Sequence, residues 1–399
     1  MIFFILTGCA PQKTEIPINV SVGEAKIPVK VEKIDKIEVE PIIIPEKEEE
    51  IVSEPEIDPV REILDSLTLE QKIGQMFIVP LSGETLTDED RIHLSKRHFG
   101  NTFLFGKSTK DVEKIKQLNA DADELIENCT SLSPFVFIDQ EGGRVRRIKD
   151  GITYLPKAKA MGEMSEDEVR ELARAAAIDM KNLGITVDAA PVLDVYTNKS
   201  NTVIGDRAFG TDAVTVSDIG CAFMDGLTEG GMLACVKHFP GHGDTSEDSH
   251  YELPVLAHDM DRLGEIELVP FRAAIDAGCD MMMIAHIVTP ALSDDGLPAS
   301  LSGEVIGFLR NGLGYDGLIV TDSMDMKAVS DTYGTAKASL MAIMAGADMV
   351  CASEIYDVQC ESYDLVLGAA KDGTIPMETI DAAVYRIISL KLEYFGLEK

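Results

Sequence analysis

The chain has 399 residues, 45% of them hydrophobic and 26% charged, the composition of an ordinary soluble globular protein with ample length for a large core. Its 36 Lys and Arg stand against 69 Asp and Glu, a net charge of −33. A field of that sign repels phosphate backbones and excludes nucleic acid as an expected partner, while leaving the fold open.

The first residues, MIFFILTGCA, join an apolar run to Leu6-Thr7-Gly8-Cys9. This resembles a bacterial lipoprotein signal, with small residues before a cysteine that is lipidated and becomes the mature N-terminus. It predicts residues 1–9 as signal and an exported protein attached to a membrane through Cys9; without that processing the chain is cytoplasmic. From Ala10 to Asp58 there is no aromatic residue and only one glycine, prolines recur, and Glu46–Glu50 reads EKEEE. Such a composition buries too little apolar surface to offset chain entropy, so residues 10–58 are expected to be a disordered, acidic stalk. A local alternation, VKVEKIDKIEVE, is the competing signal for an exposed strand.

From Pro59 onward, short β-branched or apolar runs alternate with amphipathic helical stretches. The predicted strands are residues 75–81, 101–106, 134–140, 186–195, 233–239, 281–287, 317–323 and 348–353. Helical stretches such as DVEKIKQLNADADELIENC and EDEVRELARAAAIDMKNLG lie between them, and Gly184 stands where the second should be capped. A long helix, METIDAAVYRIISLKLEYFGL, ends the chain. Eight buried strands each followed by a helix predict one (β/α)8 barrel over residues 59–399. A doubly wound open sheet shares the alternation, but no GxGxxG follows the first strand. The cysteines at 129, 221, 235, 279, 351 and 360 form no CxxC pair and sit in apolar surroundings, which predicts buried free thiols.

In such a barrel the chemistry sits at the C-terminal ends of the strands. Strand 3 ends in DQEGGRVRR, strand 4 in DV with a long loop carrying GDRAFG, strand 6 in AHIV and strand 7 in TDSMDM. Strand 5 runs into KHFPGHGDTSEDSH, which holds three of the seven histidines. Three readings compete for that stretch. A metal site would use His238 and His242, although FPG between them forbids a continuous helix. A solvated loop needs no function at all. Proton transfer would use His250 with Asp248 two residues before it, since a nearby carboxylate orients an imidazole and raises its pKa above ~6.5. Asp322, at the rim of strand 7, is placed to attack an electrophilic carbon or to cap the next helix; Asp325 is its local rival.

With DQEGGRVRR, GDRAFG, KHFPGHGDT, DSH and TDSMDM in that order, residues 58–397 resemble the family-3 glycoside hydrolases, and within them the bacterial β-N-acetylglucosaminidases. The larger β-glucosidases of that family carry a second α/β domain for which there is no room here. The resemblance implies Asp322 as nucleophile, His250 as acid/base and Asp248 as its dyad partner. It implies Asp139, Arg147, Arg207, Lys237 and His238 as the residues that hold sugar hydroxyls. Many relatives have a second acidic residue where Ser323 stands. The implied reaction is retaining hydrolysis of terminal β-linked N-acetylglucosamine from peptidoglycan fragments, without metal or organic cofactor. A plain β-glucosidase and a non-catalytic sugar-binding lipoprotein are the alternatives.

Overall fold

The computed structural model describes residues 15–22, 25–32, 58–81, 83–245 and 253–396. Cys9, Asp248 and His250 lie outside them. The chain divides into two units, Met1–Ile57 and Asp58–Lys399. In the first, Glu15–Val22 and Ala25–Glu32 pair antiparallel, with Glu15 opposite Glu32 and Val22 opposite Ala25. The composition-based expectation of a disordered stalk over residues 10–58 did not anticipate this pairing. EIPINVSV and AKIPVKVE alternate with period two, and in a two-stranded ribbon both strands are edges, where proline is tolerated. The alternation noted from Val29 enters the second strand only as far as Glu32.

The second unit is a closed barrel of eight parallel strands. They are β1 (Phe77–Leu81), β2 (Asn101–Leu104), β3 (Phe135–Ile138), β4 (Val187–Asp188), β5 (Leu233–Phe239), β6 (Met281–Ile284), β7 (Leu318–Ser323) and β8 (Met349–Cys351). Each pairs with the next in chain order, and Val350 opposite Phe77 closes the ring. All eight predicted strands are present. β4 is shorter than expected: Pro191 has no N–H to give the ladder, and beyond it a single bridge, Val192 to Lys237, continues the pairing.

Several of the helices between strands begin where their sequences provide caps. Asp111 accepts the N–H groups of Glu113 and Lys114 ahead of Val112–Thr130, and Ser165 with Glu168 forms a reciprocal capping box on Glu166–Lys181. Gly184 follows that helix at φ +80°. The last helix, Met377–Phe395, sends buried Lys391 beneath the barrel, where its Nζ donates to Gln75 Oε1 (2.7 Å) and the Gly100 carbonyl (3.0 Å). Burial pushes that amine down to about 7. Asp348, just before β8, accepts from Arg386, Arg310 and the Ile319 N–H. These groups lie at the strands' N-terminal ends, the face that supplies stability. Cys235, Cys279 and Cys351 are buried and free; Cys129, Cys221 and Cys360 are also free but only half-buried, so the expectation of burial holds for three of six. No described helix is long and apolar enough to cross a membrane.

Candidate active site

At the C-terminal ends of the strands lies a cavity of about 680 Å³, lined by Asp139, Glu141, Arg147, Arg207, Lys237, His238, His242 and Asp322 among others. Local sequence explains how β3 delivers its share. After Asp139 the chain folds into a small hairpin, with Gln140 opposite Arg146 and Gly142 opposite Val145. Gly142 turns at φ +99°, where a Cβ would sit 2.2 Å from the Pro156 carbonyl oxygen, so the EGG sequence is a steric requirement. The Gln140 side chain accepts the N–H groups of Arg147 (2.9 Å) and Ile148 (3.1 Å), and the Gln140 backbone N–H donates to buried Asp188 at 2.9 Å. Asp139, Glu141 and Arg147 thereby face the cavity on one rigid frame.

The cavity wall is a continuous chain of alternating charge. Arg147 Nη2 donates to Asp139 Oδ2 (2.6 Å) and Lys237 Nζ to Asp139 Oδ1 (2.8 Å), and Lys237 Nζ forms an ion pair with Glu141 Oε1 (2.7 Å). Arg207 grips Glu141 with two bonds of 2.8 Å each, and its Nη2 lies 3.3 Å from His238 Nε2. Arginine only donates, so His238 accepts at Nε2 and carries its proton on Nδ1, which reaches Asp194 Oδ2 at 2.7 Å. Asp194 also accepts the His242 N–H at 2.6 Å. Burial opposes ionisation of Asp139 and Glu141, but the neighbouring cations outweigh it. Asp139 is held far below the usual carboxylate range, and Glu141 falls to about 2. Lys237 is likewise penalised by burial and more than compensated by the two carboxylates, which raise its pKa. The array stays charged and fixed across the neutral range, which presents oriented donors and acceptors to a polar ligand without reorganisation.

Asp322 stands half-buried at the end of β7 with Oδ1 accepting the Ser323 N–H at 2.7 Å. Burial opposes its ionisation, yet its surroundings, that N–H and Lys237 among them, hold its pKa below the usual value. It is an anion at neutral pH. It does not cap the next helix, Lys327–Tyr333, whose N-cap is Met326 with no side-chain bond. Asp325 also lines the cavity, but its Oδ2 accepts the Glu354 N–H at 2.8 Å. Buried His286, at the end of β6, takes a bond from Ser300 at Nδ1 (2.7 Å) and donates from Nε2 to the Ser323 carbonyl (3.0 Å), bracing the backbone beside Asp322.

Of the residues singled out in the sequence, Asp139, Arg147, Arg207, Lys237, His238 and Asp322 surround this one cavity. The solvated-loop reading fails for His238 and His242, which are 5% and 2% exposed. The described residues that gather as a potential ligand set are instead Asp244, His258 and Glu267. There Asp244 is hydrogen-bonded to His258, and Glu267 accepts Arg262 Nη2 at 3.0 Å. Sequence reading missed Glu141, Asp194, Asp188 and His286. Glu141 and Asp194 sat inside strings already quoted, but nothing local in the sequence marks them as buried and paired.

The residues from 68 to 390 match the model of the glycosyl hydrolase family 3 N-terminal domain. The chain belongs to glycosyl hydrolase family 3. Among its curated family relatives, the β-hexosaminidase of Nitrosomonas eutropha is 35% identical over 287 residues, covering 69% of this chain and 80% of that protein. The β-hexosaminidase LpqI of Mycobacterium tuberculosis is 37% identical over 276 residues, covering 67% and 70%. Among solved structures, the family 3 β-N-acetylglucosaminidase of Paenibacillus sp. strain FPU-7 superposes with a TM-score of 0.81 at 37% identity. That match covers 84% of this chain and 64% of the Paenibacillus chain, just under two thirds of its length.

Proposed function

We propose that this family 3 enzyme is a retaining exo-β-N-acetylhexosaminidase that releases terminal, non-reducing β-N-acetylglucosamine. The observation that carries the reading is the ionised Asp322 carboxylate facing a cavity whose walls are a pre-formed array of sugar-binding donors and acceptors. The names of the relatives support the same activity. Asp322 attacks the anomeric carbon, the glycosidic bond breaks, and the leaving oxygen takes a proton from His250, which Asp248 orients. A glycosyl ester on Asp322 results. His250, now without that proton, removes one from water, which attacks the anomeric carbon and frees Asp322. Asp139, Arg147, Arg207, Lys237 and His238 hold the sugar hydroxyls while charge develops at the ring.

The assignment of His250 and Asp248 rests on the DSH motif and its place after β5. An imidazole suits a substrate that carries carboxylates, because an anionic glutamate facing it would be penalised where a neutral ring is not. Peptidoglycan fragments are such substrates and are the proposed natural ones. The Leu6–Cys9 sequence supports attachment of the enzyme to a membrane through Cys9. The deciding experiment compares aryl β-N-acetylglucosaminide with aryl β-glucoside at equal concentration. The proposal expects kcat/KM at least a hundredfold higher for the acetamido sugar. A preference for glucoside would make the enzyme a β-glucosidase, and turnover of neither would make it a sugar-binding protein.

A further inference from the structure

The chain leaving β5 passes through two stems. Residues 241–245 lead out and residues 253–258 lead back; Asp248 and His250 fall between them in sequence. The outgoing stem is fastened to the loop after β4. Asn201 Nδ2 donates to the His242 carbonyl (2.7 Å), and Asn198 Nδ2 to the Thr245 carbonyl (3.1 Å). Gly243 lies so close to the Val195 carbonyl oxygen that a Cβ would be 1.9 Å from it. The returning stem is fastened elsewhere, to the loop after β6. The Leu256 N–H donates to the Val288 carbonyl and the Val288 N–H to the Pro254 carbonyl, both at 2.9 Å.

Two stems held by different neighbours have their separation set only indirectly unless something joins them. Among the described residues, one side-chain hydrogen bond does so: His258 Nε2 to Asp244 Oδ2. Asp244 is further oriented by the Thr197 hydroxyl, which donates to Oδ1 at 2.6 Å. Burial opposes its ionisation, but the bonds from Thr197 and His258 outweigh that and keep it a carboxylate, which gives His258 a charged acceptor. Nearby Glu267 is engaged by Arg262, so the pair is not drawn towards it.

We infer that the Asp244–His258 pair positions the acid/base: it fixes the separation of the two stems between which the DSH residues fall in sequence. This rests on the reading of His250 as acid/base given above. Neither Asp244 nor His258 touches substrate. They act through the placement of His250, and a displacement of about 1 Å in a reacting group is enough to cost on the order of a hundredfold in rate.

The test uses kcat/KM, which reports formation of the glycosyl ester, for two substrates that need protonation to different extents. One is a GlcNAc disaccharide and the other the 2,4-dinitrophenyl β-N-acetylglucosaminide, whose leaving group departs almost unaided. His258→Ala should lower kcat/KM about tenfold or more on the disaccharide and less than threefold on the dinitrophenyl substrate. His258→Gln, whose amide can still donate to Asp244, should recover most of the loss. His250→Ala is measured in parallel. A His258→Ala loss equal on both substrates, or one that Gln does not repair, overturns the inference while a leaving-group-dependent loss in His250→Ala leaves the acid/base reading standing. If His250→Ala itself shows no leaving-group dependence, the acid/base reading falls and the inference with it.

Discussion

Asp188 offers a perturbation whose size follows from its surroundings. It ends β4, fully buried, with Oδ1 bonded to the Gln140 N–H and Oδ2 without a hydrogen-bond partner among the described residues. Burial raises its pKa to about 8; the Gln140 N–H and Lys237 work against that rise, and Asp139 and Glu141 add to it. An acid whose folded pKa lies above its unfolded value makes folding less favourable as pH rises. The penalty is absent below the unfolded value of ~3.9 and complete above about 8. Between pH 5.5 and pH 9 it grows by an amount equivalent to ~2.5 pK units, or about 3 kcal/mol. At ~2.1 cal/mol/K per residue for the unit from Asp58 to Lys399, that corresponds to about 5 °C in Tm. Asp188→Asn keeps an acceptor for Gln140 and has no proton to lose. The Tm of the variant minus that of the wild type, read by thermal denaturation, should therefore rise by about 5 °C between pH 5.5 and pH 9. Any constant effect of the amide cancels in that comparison. A difference that stays flat to within 1 °C would show that Asp188 is not held protonated beneath the hairpin.

Two further expectations concern the cavity wall. Glu141→Gln leaves Lys237 and Arg207 sharing a neutral partner where each now has a carboxylate, and kcat/KM should fall by about 10²–10³ with the fold intact by circular dichroism; a loss under threefold would mean the charge chain does not organise the site. Dialysis against EDTA should leave kcat within twofold, since His238, Asp139 and Glu141 already have both ligand atoms committed to protein partners. A stoichiometric zinc ion whose removal stops turnover would refute that.

Much of the barrel could be read directly because buried parallel strands are continuous apolar runs, and runs such as FVFI and MMMI survive any tertiary context. β4 was harder. TVDAAPVLDV reads as one ten-residue strand, but only two of its residues pair regularly, since a proline within the run removes a ladder donor. In the N-terminal segment, composition argued for disorder while alternation from Val29 argued for a strand; of that alternation only Val29–Glu32 falls within the paired strands. The site was legible where a residue type announces its chemistry, as Asp322 at a strand end or Lys237-His238 at another. It was not legible where function depends on a partner far along the chain. Glu141 meets Arg207 66 residues later, and Asp188 meets Gln140 48 residues earlier. Nothing local distinguishes those carboxylates from solvated ones.

The nucleophile can be identified chemically. A 5-fluoro β-N-acetylglucosaminyl fluoride forms the glycosyl ester readily and hydrolyses it slowly, so the intermediate accumulates and can be mapped by proteolysis and mass spectrometry. One sugar per chain should be found on the peptide containing Asp322, with none in Asp322→Ala. Label on Asp325 or on any other residue, or steady turnover of N-acetylglucosaminides by Asp322→Ala at near wild-type rate, would contradict the account.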